Sequence, residues 1–489
     1  MDTNAANEES IIQANIHRLQ VSKANLLREI EKIDQQLLHE TAKYGRFRND
    51  RNPALQIPNE IITSIFMLVH NRLRYANSVK ARSEALRFLL SISHVCTRWR
   101  VIVLNTCLLW NEIIMTFRHG FASPVPLECL EAHLIRSGDC YLDMAFNLTG
   151  SYIGYPSFLQ LIGRHSTRWR RVSLLVAFGN VSHFQNAFQN LHTPVLEHFS
   201  VNIQNTQGGG PGTPRIPYPS DSPQMFDLGS PKLTFLRLAG AAFGTLVPDC
   251  NMLQTLHLVG WNRSFLTWER LREGLEAMPL LTNLSLDKLC VRHARDPFKD
   301  SQPMHLPKLR CLRIRDPYSP VIMMLPLMVL PKLESLHLHH LEMFDSLSIP
   351  TVTTLSLETC NLQEIEVVNL VSRFPNVEEL GIDDCSFSSL FNLLSSGEAE
   401  EPEPWPKLHT LTVRELPMSD VVYLVSLVLA RKERQMPLQV LRVDRRSRTV
   451  LRNKHRLDWL AGEMEVQHRD FAESWPPGLG YDDPHDLED

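Results

Sequence analysis

A phrase of the form Pro-x-Leu-x-x-Leu-x-Leu recurs through the second half of the chain, with Val or Ile in place of some leucines and one copy without its Pro. Its eight copies lie at residues 231–238, 253–258, 279–286, 307–314, 331–338, 350–357, 375–382 and 406–413. The Leu-x-Leu that ends each copy places two apolar side chains on one face of a short strand. Stacked copies bury a continuous apolar wall and leave the other sheet face open. The pattern therefore predicts a sheet built of repeats.

The spacing of the copies indicates which type of repeat to expect. Successive first apolar residues from Leu253 to Leu438 are 19 to 31 residues apart, which brackets the period of leucine-rich repeats. The residues between strands must return the chain to the start of the next strand, usually as a helix, and 364–373 and 419–430 have helical patterns. The phrase resembles leucine-rich repeats, although their regular Asn is mostly missing. We therefore expect an irregular arc over residues 169–460.

A second apolar region, residues 57–113, has helical spacing instead. Pro58 can begin a helix, because its missing N–H would have no partner in the first turn. Ile61, Ile65 and Val69 recur every four residues, with Ile62 and Phe66 beside them, which predicts one wide apolar stripe. The second segment places Leu89, Ile92, Val95, Trp99 and Ile102 on one helical face by the same rule. A unit of about three helices is too small to bury so much apolar surface by itself. Part of this surface is therefore expected to contact a partner protein.

The two ends of this region carry a resemblance to a known family. The opening Ile57-Pro-Asn-Glu-Ile-Ile and the closing Val95-Cys-Thr-Arg-Trp-Arg resemble the F-box, and Leu108-Leu-Trp-Asn-Glu-Ile resembles the form found in fungal F-box proteins. F-boxes bind the Skp adaptor of SCF-type cullin–RING ubiquitin ligases. Carried over by position, the resemblance implies adaptor contacts at Ile57, Pro58, Ile61, Ile65, Val95 and Trp99. The polar insert 71–84 is longer than in a typical F-box and leaves the register of the middle helix open.

The N-terminal segment carries a heptad pattern. Its seam over residues 11–38 alternates spacings of four and three and consists of Ile12, Ile16, Leu19, Lys23, Leu26, Ile30, Ile33 and Leu37. A short coiled coil that forms a weak homodimer and an amphipathic helix that folds back onto the F-box both fit this pattern. Gly45 and Pro53 are expected to bracket the end of the helix, with a basic linker between them.

Composition and motif searches exclude several functions. The 489 residues have a net charge of −4, which argues against a nucleic-acid binder, and nine cysteines without a CxxC pair indicate a reducing compartment, the cytoplasm or nucleus. The longest apolar run, Val321–Leu330, is too short to span a membrane. No nucleotide-binding or hydrolase motif is present, so we expect no enzyme activity and no cofactor. His337 and His339 share one strand face, but no Cys pair completes a metal site.

Recognition is instead predicted for the open face of the repeats. The residue between the two leucines of each strand lies there, in a row with Arg237, His257, Ser285, Arg313, His337, Ser356, Thr412 and Arg442. The neighbouring row consists of Val259, Asp287, Arg315, His339, Glu358, Asp383 and Arg414. Arg313, Arg315, His337 and His339 make the middle locally basic, and we hypothesise that they bind an acidic or phosphorylated protein segment. An ordinary polar exposed face is an equally good interpretation.

The predicted fold class is therefore α+β or α/β repeat: an N-terminal helical segment and three-helix F-box, then an irregular leucine-rich-repeat solenoid. The expected division is a helix at 1–50, the F-box at 54–115, a connection at 116–168, the arc at 169–460 and an acidic tail at 461–489. Within the arc, 204–230 is predicted to be a flexible loop and 395–406 an acidic loop. The function expected is a non-catalytic substrate receptor that binds the Skp adaptor, its cullin complex and an unidentified protein substrate. The alternative is an interaction scaffold outside ubiquitination.

Overall fold

A computed structural model describes residues 2–476 except for 54–55, 75–78, 117–124, 150–154, 178–180, 205–224, 241–249, 261–265, 290, 293–301, 316–324, 340–347, 361, 363, 386–387, 396–402 and 470–474. The chain divides into two compact units. The first comprises Met1–Ala76 with Ser83–Thr106, and the second comprises Asn77–Arg82 with Cys107–Asp489. None of the helices in the described ranges is both long enough and apolar enough to cross a membrane.

The first unit is helical and begins with one long helix. Helix α1 covers Asp2–Asp50 and continues through Gly45, so the basic linker predicted after that residue is wrong up to Asp50. A single Gly costs a helix about 1 kcal/mol relative to Ala, which weakens a helix without ending it. The apolar members of the predicted heptad seam are all exposed. They do not pack back onto the described residues of this unit.

Three further helices follow in this unit, α2 (Asn59–Arg74), α3 (Val79–Ser93) and α4 (Thr97–Asn105). The helical face predicted from Leu89 to Ile102 is broken by a turn after Ser93, because α4 has its own N-cap: the Cys96 sulfur accepts a hydrogen bond from the backbone N–H of Trp99. Within the polar insert, residues 71–74 extend α2 and 79–84 begin α3, and 75–78 lie outside the described residues.

The second unit is organised by a fourteen-stranded parallel sheet in which the spatial order of the strands equals their order along the chain. The strands are β1 (Glu112–Thr116), β2 (Leu142–Leu148), β3 (Trp169–Ala177), β4 (His198–Gln204), β5 (Phe235–Gly240), β6 (Thr255–Val259), β7 (Asn283–Asp287), β8 (Cys311–Arg315), β9 (Ser335–His339), β10 (Thr354–Glu358), β11 (Glu379–Asp383), β12 (Thr410–Arg414), β13 (Val440–Val443) and β14 (Glu465–His468). The parallel-strand sheet with helices agrees with the predicted α/β class.

The repeated leucines of the phrase form the buried side of this sheet. Parallel pairing places Leu312 beside Leu336 and Leu336 beside Leu355, and all three are fully buried. The chain leaves several strands through a residue in the left-handed conformation, such as Thr359 after β10 and Asp384 after β11. The same backbone conformation therefore recurs where equivalent strands end.

Helices and short elements complete the second unit and contribute to one hydrophobic core from Ile113 to Met464. The helices are α5 (Val125–Arg136), α6 (Tyr155–Gly163), α7 (Val181–Phe188), α8 (Trp268–Glu276), α9 (Glu364–Arg373), α10 (Ser388–Ser395), α11 (Val421–Glu433), α12 (Arg445–Asn453) and α13 (Leu457–Glu463). Two small parallel pairs join Leu266–Thr267 to Val291–Arg292 and Met304–His305 to Met328–Val329. The helices predicted over 364–373 and 419–430 are present as α9 and α11.

The sheet extends beyond both predicted ends of the repeat arc. Strand β1 begins inside the segment assigned to the F-box and ends at Thr116, the first residue of the segment assigned to a connection, and β2 lies inside that connection. At the other end β14 pairs with β13 inside the predicted acidic tail. The sequence missed these strands because none carries the leucine phrase: β2 is buried on both faces and β14 is mostly polar.

The two predicted loops are partly packed. Residues 205–224 of the first loop and 396–402 of the second lie outside the described residues. Beyond the first gap, Met225 and Phe226 are buried in the core, so the loop prediction is wrong there. Trp405 in the second loop is also buried, and its indole N–H donates a hydrogen bond to the carbonyl of Phe374. Large apolar side chains inside a loop pattern were the signal for this packing.

Candidate interaction sites

Helix α2 is apolar on two sides, and only one of them is buried. Ile62 and Phe66 are buried, and the Phe66 ring lies 5.0 Å from the Trp99 ring in an edge-to-face contact. Ile61, Ile65 and Leu68 are 51%, 45% and 71% exposed, so the single wide stripe predicted for this helix is in fact two. We call Ile61, Ile65, Leu68 and Val69, which is also exposed, the α2 stripe. Exposed apolar residues at helical spacing are typical of a protein-binding surface.

The other predicted adaptor contacts are less uniform. Pro58 and Val95 are exposed, whereas Ile57 and Trp99 are half-buried. The Ile57 carbonyl accepts a hydrogen bond of 2.6 Å from Arg98, whose Nε also donates to Asn59 at 2.8 Å. These two bonds tie the start of α2 to α4. Trp99 also supports the fold of this unit, because its ring contacts Phe66 of α2.

Sequence reasoning missed Leu68 and two further exposed apolar residues of this unit, Leu90 and Val101. The signal for Leu68 was present, because it lies three residues after Ile65 and seven after Ile61 on the same helical face. Leu90 and Val101 had no comparable signal. They lie next to buried residues of their helices, and the pattern did not separate the two faces.

The open face of the sheet is narrower than the sequence implied. The strand register places the predicted residues in the two expected rows, with Arg313 beside His337 and Arg315 beside His339. However, Arg237, His257 and Ser285 at the beginning of the first row are buried. The row is half-exposed only from β8 onward. We call the half-exposed residues of the two rows on β8–β13 the open face.

Glu358 links the residues of the predicted basic patch. Its carboxylate lies 3.0 Å from the Arg315 guanidinium and 2.9 Å from Nε2 of His337. Burial alone would raise the pKa of Glu358, but the hydrogen bonds from His337 and Arg315 outweigh it and hold that pKa well below its usual range. Burial lowers the pKa of His337, and Glu358 opposes this effect only in part.

Further ion pairs continue along the open face. Arg414 lies 2.7 Å from Asp383, and Arg442 lies 3.1 Å from Glu379, two strands away. The excess positive charge inferred for the middle of the face is therefore largely balanced by carboxylates on the next strands. Arg313 differs from its neighbours, since its Nε donates to the Ser285 hydroxyl at 2.8 Å and its guanidinium lies 4.8 Å from the centre of the Trp475 ring.

A cavity of about 510 Å³ opens on this face, between β8 and β13. Gly381 lines it at the position where the neighbouring strands carry Ser356 and Thr412. A Cβ at Gly381 would lie 3.0 Å from the Ser356 hydroxyl oxygen, so any larger side chain would occupy the cavity. Trp475, from the segment predicted to be an acidic tail, also lines it. The sequence signal for Trp475 was a lone Trp-Pro in an acidic segment.

Among the residues that the structure describes, no group of three or more His, Cys, Asp or Glu could hold a metal ion. Nε2 of His337 is within hydrogen-bond distance of the Glu358 carboxylate. His340, the residue after His339, lies outside the described residues.

Comparison with known families identifies one region. Residues 54–116 match the F-box-like family. The match covers α2, α3 and α4 and ends with β1. No curated protein matches the chain in sequence. The chain thus carries an F-box-like domain, and the exposed α2 stripe lies within it.

Proposed function

We propose that this chain is the substrate-receptor subunit of an SCF-type cullin–RING ubiquitin ligase. The F-box-like domain binds the Skp adaptor, and the open face of the repeat sheet binds the protein to be ubiquitinated. The α2 stripe carries the proposal, because F-box domains typically bind this adaptor and the stripe is an exposed apolar surface in that domain. A hydrophobic surface of this kind is buried when a partner helix packs on it.

In this role the chain performs no chemistry itself. It holds the substrate near the ligase and converts a bimolecular encounter into a tethered one, which raises the effective concentration of the reacting groups. The sheet supports such a role through its construction. Strands stacked in chain order, in the manner of leucine-rich repeats, present one residue of each strand in a continuous row.

A homodimer through the heptad of α1 belongs to the same proposal. The seam of residues 11–38 is exposed in the single chain, which favours pairing with a second copy over the alternative of an amphipathic helix packed on its own F-box. Lys23 in the seam predicts that the pair is weak. No cysteine in the described part of the chain forms a disulfide, which supports the proposed location in the reducing cytoplasm or nucleus.

The experiment that tests the function is a pull-down of the full-length chain that probes for the Skp adaptor and cullin. Ile61→Asp with Ile65→Asp places two charges in the α2 stripe without changing a buried residue. The matched control is Ile365→Asp with Val368→Asp, a pair of exposed apolar residues on helix α9 of the sheet unit. We expect wild type and control to retain both partners and the stripe variant to retain neither.

Other outcomes decide between the alternatives. If the wild-type chain retains the adaptor without cullin, the interaction scaffold outside ubiquitination replaces the receptor. If the wild-type chain retains neither protein, the receptor proposal is wrong. If the stripe variant binds as well as wild type, the α2 stripe is not the adaptor surface.

A further inference from the structure

Trp475 completes a column of rings that crosses the sheet. The column begins on β4, where the His198 ring stacks on Phe235 with centroids 4.0 Å apart. Phe235 lies 4.9 Å from His257 on β6, and His257 lies 5.2 Å from the Trp475 indole. The Arg313 guanidinium also lies near this indole, 4.8 Å from the centre of its ring. Trp475 thus contacts both the column of rings, through His257, and the open face, through Arg313.

The contacts around Trp475 define what this place accepts. A guanidinium above an indole is a cation–π contact, for which Trp is the best of the aromatic residues. The Ser285 hydroxyl fixes Arg313 in position at 2.8 Å, so the guanidinium is preorganised for a ring. Pro476 after the indole is buried, whereas Trp475 itself is only half-buried. The site therefore holds an aromatic side chain firmly without enclosing it.

The cavity next to the indole has a small excess of positive charge, and the sequence that follows Trp475 is acidic. Five arginines and four carboxylates line the cavity, and Arg442 and Arg469 are among the arginines. Residues 477–489 contain five Asp or Glu and no Lys or Arg. A protein segment in which acidic residues follow a bound Trp is able to form charge-assisted hydrogen bonds, which are the strong ones, with arginines that line the cavity.

We propose that the open face is a docking site for a protein segment that presents a tryptophan followed by acidic residues, and that the chain's own Trp475 occupies this site until such a partner displaces it. The proposal rests on the proposed function only for the biological role of the partner as a ligase substrate. The binding chemistry rests on Arg313, His257 and the column of rings.

Because Trp475 belongs to the same chain as its site, any partner must compete with it for that site. A segment joined to its own site by a short linker is present at an effective concentration in the millimolar range. A partner with the same contacts must therefore compete with an occupant that is always nearby. Removing the indole from the chain should expose the site and strengthen binding of an added segment by about tenfold or more.

The test uses the full-length chain and a labelled synthetic peptide with the sequence of residues 470–489, followed by fluorescence anisotropy. We expect Trp475→Ala to bind this peptide at least about tenfold more tightly than wild type does. Adding Arg313→Leu to Trp475→Ala should reverse most of the gain, because the ring loses its cation. The matched control adds Arg310→Leu, since Arg310 precedes the same strand, is exposed and does not line the cavity. A peptide in which Ala replaces its Trp should not bind.

Two results overturn the proposal. One is equal peptide affinity of wild type and Trp475→Ala with unchanged thermal stability. The other is equal affinity together with a loss of thermal stability in Trp475→Ala, which makes Trp475 a fixed part of the sheet. Trp475→Phe is the conservative variant for this comparison, because it keeps a ring on Arg313. The assay contains no adaptor and no cullin, so its failure and a failed pull-down are independent results.

Discussion

The helical unit and the sheet use the same aliphatic residues with opposite results. On α2, Ile65 is 45% exposed, whereas Leu336 on β9 is fully buried. In the sheet each leucine is covered by the equivalent leucines of the strands on both sides, such as Leu312 and Leu355 around Leu336. The second apolar side of α2 has no such repeated neighbour and remains exposed. Apolar periodicity therefore identifies a surface that must be buried, but only a repeat also identifies what buries it.

The difference separates stability from binding. We call the buried repeat leucines of the sheet, such as Leu312, Leu336 and Leu355, the leucine wall. A residue of this wall contributes to folding, because its burial is complete in the single chain. A residue of the α2 stripe contributes little to folding and is able to contribute to association. Variants of the two regions should therefore fail in different assays.

The largest effect on stability is expected in the leucine wall. Leu336→Ala removes a fully buried side chain between two strands and should lower the free energy of unfolding by about 2–5 kcal/mol. Urea denaturation followed by circular dichroism measures the change. Ile65→Ala is the matched control and should change stability by less than about 0.5 kcal/mol. Equal losses in both variants would contradict the distinction between the two regions.

Binding should show the reverse order. Ile61→Ala and Ile65→Ala should each weaken adaptor binding by about 1–3 kcal/mol, since truncation of a central apolar contact costs this much in an interface. Leu336→Ala, measured below its unfolding temperature, should bind the adaptor as wild type does. Titration calorimetry with the purified adaptor measures both. An α2 variant that loses stability and keeps its affinity would show that the stripe has a structural role.

A smaller effect sharpens the comparison within the sheet, between a half-buried ion pair and an exposed one. Glu358→Gln leaves Arg315 and His337 without their shared carboxylate and should cost about 1–3 kcal/mol of unfolding free energy. Glu334→Gln breaks an exposed pair with Arg310 and should have no measurable effect on stability. The two thermal midpoints, compared at one salt concentration, test this ranking.

The smallest effect concerns pH. The pKa of His337 is lower in the folded chain than its ordinary value of 6.5, so the unfolded chain binds more protons below that pH. Stability should therefore decrease as the pH falls through 6.5. His337→Gln should make this decrease shallower between pH 7 and pH 5 in thermal scans. An unchanged slope would show that His133 and His165, whose pKa values are also lowered by burial, account for the dependence.

The sequence alone determined the elements whose signal is local and repeated. The leucine phrase located the strands from β5 to β12, and the period of two placed Arg313 and His337 on the same side of neighbouring strands. The two end motifs located the F-box-like region that the family comparison confirms at residues 54–116. These inferences succeeded because alternation in a strand and spacing in a helix are properties of a few consecutive residues.

Only the tertiary structure decided the features that depend on distant neighbours. Trp475 lies on Arg313, and Glu358 on β10 pairs both with His337 on the neighbouring strand and with Arg315 one strand further, although nothing in the local sequence pairs them. Which side of α2 is buried, and the entry of β1 and β14 into the sheet, were also decided by packing. The physical reason is that burial and charge pairing depend on which surfaces meet after the chain folds, whereas periodicity describes each surface by itself.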